Sequence, residues 1–286
     1  MNMRIIKATN LACPLDGTPL HGDRQLVCSN GHSFDVARQG YIHLLPVQNK
    51  NSKAPGDSKQ MVEARTRFLE SDFYLPISTQ LNAVALQHLP AAETLCVVDA
   101  GCGDGYYLSR FCAALQQCAG TAALIGIDIS KPAVVAAARR NRLISWLVAS
   151  NNNPALQPQS VDMLFCMFGF PGYSAFKKIL KTGGKVLLVE AGPDHLQELR
   201  QVIYPEVRKS PPPALDRAEQ AGFVLIDSQT LRYQTTTLNR EQIAALLLMT
   251  PHLFRATREG KEAAEKLHGL VLTVDVVLRV LVKQAD

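Results

Sequence analysis

Asp99-Ala100-Gly101-Cys102-Gly103-Asp104-Gly105 is the stretch of this 286-residue chain whose residue types and spacing point most directly to chemistry. An apolar run, Leu95 to Val98, leads into an acid and then glycines at alternate positions; a helical pattern from Tyr106 to Ala119 follows. Glycine adopts positive φ without penalty and lets a ligand approach the backbone closely. The pattern D-x-G-x-G-x-G is the one expected of a loop that holds S-adenosylmethionine, whereas a dinucleotide loop more often reads G-x-G-x-x-G. Asp99, Gly101, Gly103, Asp104 and Gly105 are therefore candidate cofactor-binding residues, the alternative being an ordinary tight turn between strand and helix. A second apolar run, Leu124 to Ile127, ends in Asp128, at the separation where doubly wound folds place a ribose-binding carboxylate. Asp128 could instead cap the next helix, as Ser130 could.

Cys13-Pro14-Leu15-Asp16 and Cys28-Ser29-Asn30-Gly31-His32 form a second cluster. The residues between them are turn-rich, and fewer than fifty residues of this kind build too small a core to stand alone. A metal would supply the missing stabilisation. Cys13, Asp16, Cys28 and His32 offer thiolate, carboxylate and imidazole ligands to zinc, although structural sites prefer a cysteine where Asp16 stands. The alternative is a degenerate knuckle held by packing alone.

These groups need elements to position them. Residues 1–46 read as a small zinc-knuckle-like domain, residues 47–90 as a linker with two helices, and residues 91–286 as the catalytic body. Asn49 to Asp57 is polar and reads as a loop; Ser58–Ser71 and Pro76–His88 read as helices, with Arg65 and Arg67 on the first. Strands are expected at Leu95–Asp99, Ala123–Asp128, Ser145–Ala149, Asp162–Phe168 and Lys185–Glu190. Helices are expected at Tyr106–Ala119, Lys131–Asn141, Tyr173–Lys181 and Asp194–Val202, with Lys181-Thr182-Gly183-Gly184 ending the third. Phe223–Leu231 and Leu270–Val282 read as an antiparallel edge pair separated by a helix, Arg240–Met249. Alternation of this kind predicts an α/β fold: a Rossmann-like, mostly parallel, seven-stranded sheet with helices on both faces.

Composition excludes several classes. With 47% hydrophobic and 19% charged residues, the chain has the make-up of a globular protein with a buried core. No apolar run approaches the ~18–20 residues of a membrane span, so no membrane partner is expected. Met1 to Thr9 lacks the apolar core of a signal peptide. Seven scattered cysteines, an odd number, argue against a disulfide scaffold and for the cytoplasm. A net charge of +5 is compatible with an RNA substrate.

Several stretches together carry a family likeness: Cys28-x-x-x-His32 with Phe34-Asp35-x-Ala37-x-x-Gly40-Tyr41-x-x-Leu44-Leu45-Pro46-Val47; Pro55-Gly56-Asp57-Ser58 with Met61, Ala64-Arg65 and Phe68-Leu69; the loop from Asp99 to Tyr107 with Asp128-x-Ser130-Lys131; Gly192-Pro193-Asp194-His195-Leu196-x-Glu198-Leu199; and Met249-Thr250-Pro251. On these residues the sequence resembles, over nearly its whole length, the bacterial large-subunit (23S) ribosomal RNA guanine-N1 methyltransferases of the RlmA type. The resemblance implies a class I methyltransferase body, S-adenosylmethionine as cofactor, an N-terminal zinc domain, a ribosomal RNA hairpin as partner and a homodimer. It puts Cys13, Asp16, Cys28 and His32 at the zinc-ligand positions, and Tyr74, Asp104, Gly105 and His195 at positions that contact adenosylmethionine; Asp128 would hold the ribose.

The chain departs from the family pattern where Asp16 replaces a cysteine, at Asn151 to Leu156, and after the fourth strand, where Phe168-Gly169-Phe170-Pro171-Gly172-Tyr173 stands. The last stretch borders the expected methyl-transfer cavity, and Phe168, Phe170 and Tyr173 could stack on a target base or simply line the core. A guanine N1 nucleophile must lose a proton. Glu190, at a strand end, is a candidate to take it, equally readable as a structural acid. The expected function is methyl transfer to RNA, at guanine N1 of large-subunit ribosomal RNA. Two alternatives stand beside it: a methyltransferase for another RNA nucleoside or a small molecule, and a non-catalytic RNA-binding paralog.

Overall fold

The computed structural model describes residues 3–46, 55–250, 252 and 256–285. Most of the expected 49–57 loop, and Pro251 of the Met249-Thr250-Pro251 stretch, lie outside the described residues. In chain order the elements are β1 (Arg4–Ile6), β2 (Gln25–Val27), β3 (Ser33–Asp35), β4 (Tyr41–His43), α1 (Lys59–Leu69), α2 (Leu75–His88), β5 (Thr94–Ala100), α3 (Tyr106–Leu115), β6 (Thr121–Asp128), α4 (Lys131–Arg140), β7 (Ser145–Val148), β8 (Val161–Met167), α5 (Tyr173–Ile179), β9 (Leu180–Ala191), α6 (Gln197–Ile203), α7 (Asp216–Gln220), β10 (Phe223–Gln234), β11 (Leu238–Asn239), α8 (Arg240–Met249), α9 (Arg258–Glu265), β12 (Gly269–Leu270) and β13 (Thr273–Lys283).

The central sheet has the order β10-β13-β9-β8-β5-β6-β7-β4, with β1 pairing against β6. Strands β9, β8, β5, β6 and β7 are parallel to one another, while β13 runs antiparallel between β9 and β10. These seven are the expected strands. Two more come from the N-terminal segment: β4 extends the sheet beside β7, and β1 pairs with the first residues of β6. The expected boundary at residue 46 therefore separates segments that share one sheet.

Side chains alternate across the strands. Leu95 and Val97 face a core under α1, α2, α3, α4, α6 and α8; Cys96, Val98 and Ala100 face one under α5 and α7. The second core also takes Leu11, Cys13, Leu20, Leu26 and Cys28 from the N-terminal segment, so the small domain is packed into the body. The Lys181-to-Gly184 stretch does not end a helix. Helix α5 stops at Ile179, β9 begins at Leu180, and the four residues form a bulge: Val161 pairs with Leu180 and Met163 with Lys185. The glycines let the strand bend outward without losing register beyond the bulge.

Candidate active site and metal centre

The sheet delivers Asp99 and Asp128 to the carboxyl ends of the neighbouring parallel strands β5 and β6, where ligands of open α/β sheets bind. Asp99 is buried, and neither carboxylate oxygen has a hydrogen-bond partner. Burial, reinforced by the charge of Asp128, pushes its pKa up to about 8. Asp128 is differently placed. One oxygen accepts from the Gly103 N–H at 2.9 Å and the other from the Ser130 N–H at 2.8 Å. Ser130 itself caps α4, so Asp128 is free of that task and instead braces the glycine loop.

Gly101 and Gly103 have φ of 87° and 55°, and a Cβ on either would make only ordinary contacts, 3.9 Å from Asn151 and 3.5 Å from Arg65; the positive φ, not a clash, is what calls for glycine there. Gly105 serves another purpose. Its Cβ would sit 2.6 Å from Trp146, and one on Gly126 would sit 2.1 Å from the same indole. These two glycines make room for the buried Trp146 beneath the loop, and Gly105 does not line the cleft. Asp104 is held inward: its carboxylate accepts from Arg140 at 2.6 Å and Thr66 at 2.9 Å, tying the loop to α4 and α1.

The far wall is aromatic. Phe168 lies over Tyr74 and His195, with ring centroids 6.3 and 5.7 Å away. Its φ of 49° turns the chain back on itself after β8, a strained geometry of the kind found at functional sites. His195 Nδ1 accepts from the Asp275 N–H at 3.3 Å, so Nε2 carries the proton and donates to the Tyr74 hydroxyl at 3.2 Å. Burial, with the nearby His252 and Arg200 charges, lowers the His195 pKa to about 4 and leaves the ring neutral near pH 7. The Tyr74 phenol is raised by burial and stays protonated. Tyr107, beside them, has a buried hydroxyl with no partner.

Of the expected residues, Tyr74, Asp99, Gly101, Gly103 and Asp104 line one end of the cleft; Asp128 meets the same glycines at the other. Glu190 is not part of it. Its carboxylate is ion-paired with Arg279, whose Nε donates at 2.8 Å, and the pair is almost fully buried. Other lining residues come from stretches the sequence singled out without giving them this place: Asp57 and Arg65, which pair across the cleft, and Asn151 with Asn152; Met167 had no sequence signal. Arg65 reads from its helix as a solvated cation, but it turns inward against Gly103. Phe170, at the rim, is 90% exposed.

The second cluster is equally definite. Each of two turns supplies two ligand atoms: Gly17 at φ 77° closes the Cys13–Asp16 turn and Gly31 at φ 82° the Cys28–His32 turn. The four donor atoms lie within 4.8 Å of one another. His32 Nδ1 is 3.5 Å from each sulfur and 3.0 Å from Asp16 Oδ2. Tetrahedral zinc with ordinary bond lengths demands edges of about 3.5 Å for S–N and about 3.3 Å for N–O, so the set fits zinc. Asp16 is preorganised: Thr18 donates to Oδ1 through its hydroxyl and N–H, and Asn30 donates to Oδ2. Those bonds hold its carboxyl well below the usual carboxylate range.

The cleft also fits S-adenosylmethionine. An orphaned buried carboxylate awaits a donor, a glycine-lined loop with no side chain of its own at Gly101 and Gly103 leaves the backbone approachable, and an aromatic wall suits a cation.

Comparison with known proteins agrees. The family model described as RlmA, N-terminal, a zinc ribbon, matches residues 11–53, and a methyltransferase-domain model matches residues 97–189. A Streptomyces fradiae protein named 23S rRNA (guanine(748)-N(1))-methyltransferase is 33% identical over 94% of both chains. A Bacillus subtilis relative, provisionally named a 23S rRNA guanine-N1 methyltransferase, is 28% identical over 96% of this chain and 97% of its own. Among solved structures, a complex of the Haloferax volcanii Trm112 methyltransferase activator with its methyltransferase partner aligns with a TM-score of 0.50 at 19% identity. It covers 80% of this chain and 99% of that one, a likeness of fold. Glycine loop, acid pair, zinc-type donor set and end-to-end identity converge: this chain belongs to the 23S rRNA guanine-N1 methyltransferase family, S-adenosylmethionine-dependent enzymes with an N-terminal zinc ribbon.

Proposed function

We propose that this protein methylates N1 of a guanine in 23S rRNA, presented in a hairpin loop. When bound, S-adenosylmethionine supplies a methyl group on a positively charged sulfur, open to in-line attack. Asp99 offers its unpartnered oxygens to that ligand's ammonium group, and Asp128 keeps lone pairs free for ribose hydroxyls. Gly101 and Gly103 put no side chain on the floor, while Tyr74 and Phe168 give the cation an aromatic wall, backed by the buried His195. The neutral His195 fixes the Tyr74 ring by donating to its hydroxyl.

The target base must leave its stack to reach the cleft, which a hairpin loop makes easy. Phe170, exposed at the rim, is placed to stack on it. As the methyl arrives, the N1 proton must go to an acceptor. Asp57 lines the cleft and keeps partial solvent access, so a proton it takes can pass to water. Cys13, Asp16, Cys28 and His32 would hold zinc as a structural cross-link. A homodimer would seat on the free edge of β10, where Val224, Leu225 and Ile226 are exposed. Among the described residues no helix is long and apolar enough to cross a membrane, in keeping with action in the cytoplasm.

The observation that carries the reading is the orphaned Asp99 carboxylate sharing one cleft with Phe168 and the exposed Phe170, in a chain of this family. The test is transfer of labelled methyl from S-adenosylmethionine to 23S rRNA lacking its native methylations, followed by nucleoside analysis. 1-Methylguanosine is expected. Label in another nucleoside, or none with the cofactor bound, would assign a different acceptor.

A further inference from the structure

We propose that the metal knuckle clamps the segment 150–157, one wall of the cleft, and that Asn153 is the positioning residue linking the two. The inference rests on the cleft's assignment as the cofactor and acceptor site.

The contacts run in an unbroken series. Pro14 lies between the donor residues Cys13 and Asp16, and its carbonyl accepts from Asn153 Nδ2 at 3.1 Å. One residue before the knuckle, the Ala12 N–H donates to the Ala155 carbonyl at 2.8 Å, Leu11 bridges to Leu156, and the Gln157 N–H donates to the Asn10 carbonyl at 2.9 Å. On its other side the segment meets the cleft. Asn151 Nδ2 donates to the Phe170 carbonyl at 3.2 Å, and a Cβ on Gly172 would sit 2.6 Å from the Asn151 carbonyl oxygen. Asn151 and Asn152 line the cleft with Gly101, Phe168 and Phe170.

Local bonds shape only the start of this segment, where the Asn153 N–H donates to the Ser150 carbonyl at 2.9 Å. Beyond that turn Ala155 has φ of 55°, in the left-handed region that a side chain disfavours. Ala155 is the residue whose carbonyl accepts from Ala12, the neighbour of the donor residue Cys13. A backbone in such a conformation persists only where its surroundings over-determine it. The surroundings here are the knuckle, whose two turns a bound metal would cross-link. The post-β8 loop, in turn, abuts Asn151 at Gly172 and Phe170. Metal loading is thereby felt at the cleft without any metal ligand reaching it.

The experiment uses the full-length, zinc-loaded protein, with metal content measured for every sample. Hydrogen exchange is followed over residues 168–173, and adenosylhomocysteine binding is followed by calorimetry. Chelation of the zinc is expected to speed exchange in 168–173 and to weaken adenosylhomocysteine by about threefold to tenfold, in the lower part of the range of coupling between contacting residues. Asn153→Ala should produce a smaller change of the same kind with its zinc retained. Chelating the variant should leave it no weaker than the chelated parent, because both changes act on one path. Unchanged exchange in 168–173 after chelation overturns the proposal, as do independent, multiplying effects of chelation and Asn153→Ala. If chelation precipitates the protein, Asn153→Ala alone decides: exchange and affinity both at parent values with zinc bound sink the proposal. Failure of the zinc-loaded parent to bind adenosylhomocysteine is a separate result; it removes the cleft assignment itself and this proposal with it.

Discussion

The metal knuckle and the glycine-loop cleft each hold a carboxylate at the centre of their chemistry, and the two are poised in opposite ways. Asp16 accepts bonds from Thr18 and Asn30, and these hold its carboxyl low, ionised whatever binds beside it. Asp99 sits buried with no donor on either oxygen, and its pKa is pushed up to about 8. A structural site is satisfied by its own chain and only needs the ion to lock it. A substrate site keeps a polar group unsatisfied, so that the incoming ligand relieves the cost. That cost is borne by the core around it.

Breaking the comparison starts at Asp99. Asp99→Asn should weaken S-adenosylmethionine by about 100-fold, since a hydrogen bond to a charged group contributes roughly 1.5–3 kcal/mol. The same variant should melt a few °C higher than the parent without ligand, where about 1 kcal/mol shifts Tm by roughly 2–4 °C in a chain of this size. The sign follows from the raised pKa. Stability from this group is present below its unfolded value of 3.8 and is lost as pH rises through about 8, so the advantage of the variant should grow from pH 5 to pH 8.5. Thermal melts across that range check it; a variant that melts lower at pH 8.5 breaks the contrast with Asp16.

Phe170→Ala should come next. An exposed ring contributes little to stability, but loss of a base stack costs about 1–3 kcal/mol, so KM for RNA should rise at least about fivefold with an unchanged Tm. Steady-state kinetics on an rRNA hairpin fragment measure this, and an unmoved KM removes Phe170 from the acceptor site.

Proton linkage sharpens the comparison further. A cationic ligand beside Asp99 lowers its pKa from about 8. Binding of S-adenosylmethionine at pH 7 should therefore release close to one proton, and the affinity should tighten from pH 6 to pH 8 and then level off. Calorimetry in buffers of different ionisation enthalpy gives the count, and proton uptake would contradict the assignment.

The smallest effect on the reaction belongs to the knuckle. Asp16→Cys adds a third thiolate and should tighten zinc about tenfold or more, because structural zinc sites favour sulfur. Methyl transfer should stay near the parent rate. A competition assay with a chromogenic chelator reads the first and the labelled-methyl assay the second; a large loss of activity would show that the carboxylate does more than bind the ion.

Much of this was legible from residue order. The period-2 and period-3.6 patterns placed the parallel strands and most helices, and α8 came out at Arg240–Met249 as expected. The four donor residues of the knuckle were identifiable from spacing, because short turns bring neighbours in sequence together. Asp128 followed from its place at a strand end. What spacing could not reach was anything set by packing between distant segments. Gly105 belongs to the glycine pattern, yet its Cβ face meets Trp146 from a strand forty residues on. Glu190 reads from its strand end as either a proton acceptor or a structural acid; only the pairing of β13 with β9, which brings Arg279 to it, makes it the second. The KTGG stretch looks like a helix stop in isolation; the demand of β8 for a parallel neighbour turned it into a bulge.

The sequence by itself therefore determined the fold class, and it marked out the glycine loop and the Cys13, Asp16, Cys28 and His32 cluster that the fold brings together, because each is written within a few consecutive residues whose backbone geometry is local. Tertiary structure alone decided which polar groups are left without partners, which cations turn inward and how the knuckle leans on the cleft wall. Those outcomes depend on burial and on contacts between segments more than a hundred residues apart, such as Pro14 with Asn153 and Tyr74 with His195. No local pattern encodes them.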